Sequence, residues 1–155
     1  MRNKLQDIGI RGYGRVRLLN AKTGKIEGDS GWKRNTITET GFEDYLSALL
    51  GNIAGSTQAL VLALGTQTAA PSSTQTIMVG EEVRLTTVNA IVASQTLRQT
   101  QTWATDEANG VALGSIGAYN ITNVGGGSIM NVLTYATSNK TTDQTLAASM
   151  EFRFS

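Results

Sequence analysis

Turn-forming residues interrupt this chain about every ten positions, and that punctuation limits what it can fold into. Clusters of Gly, Asn, Asp and Ser separate short runs rich in threonine and other β-branched residues. Residues 15–19 read as a strand, 20–25 as a turn, and Ile26-Glu27 as a short return strand. Asp29-Ser30-Gly31 turns again before residues 32–37. The run Ala59-Leu60-Val61-Leu62-Ala63-Leu64 is apolar at every position. It suits a strand buried on both faces or a short core helix. Gly65-Thr66 ends it, and a polar loop over 67–75 carries the sole proline, Pro71.

Beyond that loop, residues 81–92 predict one long strand. Further strands are expected over 97–104, 111–121, 129–136 and 145–154, with Gly114 and Gly117 as bulges or points of close approach. The last of these alternates, with Met150, Phe152 and Phe154 on one side and Glu151 and Arg153 on the other. About eight short strands and one helix predict a mainly β chain, a β-sandwich or jelly-roll-like body. The helix is expected near 41–50. Thr40 and Glu43 form a capping box, Phe42, Tyr45, Leu46, Leu49 and Leu50 share a face, and Gly51 ends it.

Charge divides the chain unevenly. Residues 1–37 hold nine Lys/Arg against three acids, a net +6, and residues 38–155 hold four against nine, a net −5. The division predicts a basic N-terminal arm and hairpin over 1–31 and a sandwich body over 32–155. Residues 1–13 are expected to extend and to order only against a partner. The partner-binding candidates are Arg2, Lys4, Arg11, Tyr13, Arg15, Arg17, Lys22, Lys25, Lys33 and Arg34. An acidic protein surface, including the chain's own body, is the expected target. Nucleic acid is disfavoured, since only Tyr13 and Trp32 could stack on bases. A membrane-surface helix is spoiled by the glycines among them.

Catalytic signals are weak. The chain has no histidine and no cysteine, which removes the commonest general base and the thiolate metal sites. Glu81-Glu82 and Asp106-Glu107 are the carboxylate pairs a glycan hydrolase would need. Neighbours on a strand point to opposite faces, so one pair cannot flank a bond alone. Gly125-Gly126-Gly127 lacks the Lys-Ser/Thr of a phosphate loop and reads as a flexible turn. No cofactor is expected. Neither a secretory signal nor an apolar run of membrane-span length is evident, which predicts synthesis in the cytoplasm.

One set of short motifs goes further. Trp32-x-x-Asn35-x-Ile37-Thr38-x-x-Gly41 is followed by Ala63-Leu64-Gly65-Thr66, Ala70-Pro71 and Glu82-x-Arg84. Glu107-Ala108-Asn109-Gly110, Ile116-Gly117-Ala118-Tyr119-Asn120 and Gly126-Gly127-Ser128-Ile129-Met130 continue the series. In that order they resemble small virion proteins of tailed bacteriophages, most of all capsid decoration, or cement, proteins. The resemblance implies a non-enzymatic structural protein on the outside of the capsid, bound to the major capsid protein and to copies of itself, often as a homotrimer. A tail or fibre-associated part, a carbohydrate-binding sandwich and a glycan hydrolase are the rival expectations.

Overall fold

The computed structural model describes residues 9–43 and 61–154, and these form a two-sheet antiparallel β-sandwich. One sheet is ordered β2 (Ile26–Asp29), β1 (Ile10–Asn20), β11 (Gln144–Phe154), β8 (Thr96–Trp103), β7 (Val88–Ala93), with β3 (Lys33–Arg34) also paired to β1. The other is ordered β4 (Thr36–Ile37), β10 (Ile129–Asn139), β9 (Ala112–Tyr119), β5 (Val61–Gly65), β6 (Glu81–Thr86). The first will be called the arginine sheet and the second the buried sheet.

Period-two alternation builds the core between them. Val16 and Leu18 of β1, Trp103 of β8 and Leu146, Ala148 and Met150 of β11 face inward from the arginine sheet. Leu62 and Leu64 of β5, Leu113 and Ile116 of β9 and Leu133 of β10 meet them. Most of the intervening residues of the buried sheet are apolar too, because its other face is also covered. Val61, Ala63, Tyr119, Ile129 and Val132 pack with Met78 from the segment leading to β6. This double burial is why the 61–64 run is apolar at every position. Of the two readings open for that run, the strand is the observed one; Ala59 and Leu60 lie outside the described residues.

Tyr119 and Arg84 fasten the cover. Tyr119 Oη accepts a hydrogen bond from Met78 N at 2.7 Å, and burial pushes the phenol up to about 12. Arg84 lies over the same ring at 3.6 Å, pairs with Glu81 and donates to the Ile121 carbonyl at 3.0 Å. The acid in this pair is thus Glu81, one residue before the Glu82 of the motif.

Three expectations need correction. Residues 10–13 are not part of a free arm: they begin β1 and pair with β11 from Ile10↔Phe154 to Tyr13↔Glu151. A boundary near residue 31 therefore cuts through one sheet, since β1, β2 and β3 are joined to β11. Residues 81–92 are not one strand either. β6 pairs with β5, β7 pairs with β8, and the chain changes sheets at Thr87. Such a corner carries one β-branched run into two layers.

The third correction concerns the helix. Residues 39–43 are helical, and the cap is Thr38 rather than Thr40. Thr38 Oγ1 accepts from Gly41 N at 3.0 Å while donating to the Ile129 carbonyl at 2.6 Å. Tertiary anchorage thus selects the earlier threonine. Gly41 lies against β10, where a Cβ would collide with the Met130 carbonyl. Tyr45, Leu46, Leu49, Leu50 and Gly51 lie outside the described residues.

Two measurements check this account. Thr38→Val keeps the shape but loses both hydroxyl bonds, and a urea titration should show a loss of about 1–3 kcal/mol. Deleting residues 1–13 removes the start of β1, and its melting temperature should fall by several degrees. An unchanged value would restore the free-arm reading.

Candidate partner-binding face

β1 carries the basic residues in alternation with its core residues. Gly12, Gly14, Val16 and Leu18 are buried, so Arg11, Tyr13, Arg15 and Arg17 share the outward face. Residues directly opposite in a ladder lie on the same face, so the register extends the patch. Arg11 sits opposite Arg153 and Tyr13 opposite Glu151 on β11. Glu151 sits opposite Arg98 on β8, and Arg34 of β3 sits opposite Tyr13. Six arginines thereby share a face with two carboxylates, Asp29 and Glu151.

The centre of this face is a fixed network. Glu151 is 3% exposed and takes both neighbouring guanidiniums. Arg98 Nε donates to Oε1 at 2.9 Å, and Arg153 donates through Nε at 3.0 Å and Nη2 at 2.7 Å to Oε2. The same guanidiniums cover aromatic rings. Arg153 lies 4.2 Å from the Tyr13 ring centre and Arg98 5.4 Å from that of Trp32. Arg15 Nε donates to Asp29 Oδ1 at 2.9 Å in a bidentate pair, with Gly31 N donating to the same oxygen at 2.8 Å.

Of the ten expected partner-binding residues, the fold gathers five: Arg11, Tyr13, Arg15, Arg17 and Arg34. Lys22 and Lys25 lie at the exposed turn between β1 and β2. Lys33 sits opposite Gly14 and lines a cavity of about 320 Å³ with Tyr135, away from the arginine face. Arg2 and Lys4 lie outside the described residues. Arg98, Arg153 and Trp32 were not among the ten. The alternation of 150–154 already places Arg153 on the solvent side, but only the register brings it to β1.

One acid of each pair holds a local contact. Glu81 holds Arg84, and Glu107 Oε2 accepts from Ala104 N at 2.7 Å. Among the described residues, no three His, Cys, Asp or Glu cluster as metal ligands. At the far edge of the arginine sheet, β7 is exposed at all six positions, with Ile91 81% and Val88 67% exposed. It carries no charge and no proline, the residues that usually guard an edge strand.

Acid should loosen this face. Burial alone pushes the Glu151 carboxyl up, and the two guanidiniums more than reverse that, leaving it below 4.5. The Arg15 hydrogen bond brings Asp29 down from 3.8 to about 2. Both carboxyls bind protons less readily when folded, so their contribution is complete above the ordinary values and is lost as pH falls. For Asp29 the loss runs from 3.8 toward about 2, and for Glu151 it sets in as pH drops below 4.5. Glu151→Gln should flatten this acid limb and cost roughly 1–3 kcal/mol at neutral pH, read by denaturant titration across a pH series. No protein-family model, curated protein or solved structure matches the chain.

Proposed function

We propose that this protein is a non-enzymatic structural component of a tailed-phage virion. In this reading it is a decoration protein that docks on the outside of the capsid lattice through the arginine sheet. The observation that carries the proposal is the outward face of β1, β11 and β8. It is broad and net positive, with Arg11, Arg17 and Arg34 making no ion pair among the described residues. Such a face suits a flat acidic protein surface better than a small molecule, which needs a concave site. The resemblance of the ordered motifs to phage decoration proteins supplies the partner, the major capsid protein. Binding only the assembled shell would stabilise that shell by mass action.

Copies of the chain are part of the proposal. The uncharged β7 edge favours strand pairing or side-by-side packing with a neighbour. A homotrimer requires that β7 meet a different patch on the next copy, a head-to-tail contact that closes after three.

Occupancy on purified particles tests the docking. It should fall as salt rises, because charges are screened beyond about 8 Å at physiological ionic strength. One surface pair contributes only about 0.2–1 kcal/mol, so single reversals should be tolerated. The triple variant Arg11→Glu, Arg17→Glu, Arg34→Glu should detach. Arg15 is left alone because Asp29 already neutralises it. Full occupancy of the triple variant at every salt concentration would remove the arginine face from the mechanism. A copy number of a handful per particle would move the protein to the tail.

A further inference from the structure

At one end of the sandwich, a buried amine is held against a side-chain amide. Lys140 follows β10 and is 1% exposed. Its Nζ donates to Asn109 Oδ1 at 2.8 Å and to the Glu107 carbonyl at 2.9 Å. The amide is fixed from its other end, where Asn109 Nδ2 donates to the Thr105 carbonyl at 2.7 Å. Gly110 N donates to the Lys140 carbonyl at 3.2 Å, tying the two backbones together. Ala108, just before Asn109, has φ of 51°, a left-handed conformation that non-glycine residues adopt at a cost. Two carboxylates, Asp106 and Glu107, belong to the same turn.

We propose that Lys140 and Asn109 form an intramolecular isopeptide bond that staples the end of β10 to the turn between β8 and β9. The neutral Nζ attacks Asn109 Cγ. A Cγ–Nζ bond forms, the Cγ–Nδ2 bond breaks, and ammonia leaves. The proton lost by Nζ is the one Nδ2 needs to depart, and the Glu107 carboxylate, whose charge acts on Lys140 while its Oε2 holds Ala104 N, is the group assigned to carry it across. Nothing is oxidised or reduced, and no co-reactant enters.

Three features favour this chemistry. Burial lowers the Lys140 pKa from its ordinary 10.5, against the opposing pull of Glu107 and Asp106, so more of the amine is free to attack. The groups are already in contact, which makes the step unimolecular. The usual competitor at an Asn-Gly sequence is attack by the glycine nitrogen on the same carbon, and Gly110 N is engaged with the Lys140 carbonyl. The bond is independent of the virion reading, since it needs no partner.

Mass spectrometry of the full chain decides the matter. The intact protein, after incubation at mildly alkaline pH, should be lighter than its sequence mass by one ammonia. Trypsin should then fail after Lys140 and release residues 99–153 as one internally linked peptide. Asn109→Ala should keep its full mass and be cut normally. Glu107→Gln should lose ammonia much more slowly. A wild-type protein that keeps its full sequence mass overturns the proposal. So does a loss of ammonia with normal cleavage after Lys140, which marks a succinimide, or a gain in mass from deamidation. A Glu107→Gln variant that links as fast as wild type overturns the assignment of the proton carrier.

Discussion

Eleven consecutive residue pairs join β1 to β11, from Ile10↔Phe154 to Asn20↔Gln144. Much else in the molecule rests on this ladder. Inward, it aligns Val16 and Leu18 with Ala148 and Leu146 against the core. Outward, it sets Arg153 over Tyr13 and brings Glu151 between two arginines. Slipping the ladder by one residue would exchange those two sets of side chains, placing arginines in the core. Burial of the aliphatic set therefore fixes the geometry of the charged set.

The second sheet is built differently. It is covered by the arginine sheet on one side and by the segment carrying Met78 on the other. Strands buried on both faces lose the polar alternation that marks a half-exposed strand. Arg84 and Tyr119 resolve the polar demands of that cover, since each finds its partners within it. The two sheets thus divide the labour: one supplies permanence, the other a surface.

Local chemistry made part of this legible before any coordinates. The unbroken apolar run marked a fully buried element at β5, either strand or core helix, the 150–154 alternation announced β11, and Gly117 does lie where a side chain would press on Ile129. What sequence concealed was tertiary. The capping box pointed to Thr40, and the Ile129 carbonyl on the neighbouring strand β10 gives the cap to Thr38 instead. Nothing in Glu81–Thr86 and Val88–Ala93 signals that Thr87 parts two layers. The charge asymmetry pointed to the N-terminal residues, but Arg98 and Arg153 complete the face through register, which no local pattern encodes. The Lys140–Asn109 contact joins residues 31 apart and had no sequence signal.

The β1–β11 ladder also has a consequence for how the molecule comes into being. A ribosome makes β1 first among the described strands and β11 last. β1 can find β2 and β3 early, but its long partner arrives only after more than a hundred further residues. Closing so large a loop costs entropy before it yields contacts, and folds dominated by such pairings form slowly. The nascent chain therefore carries β1 with one edge unpaired until synthesis has passed Phe154. Alternating arginines along that strand keep it charged during the wait, a guard against premature association with other nascent chains.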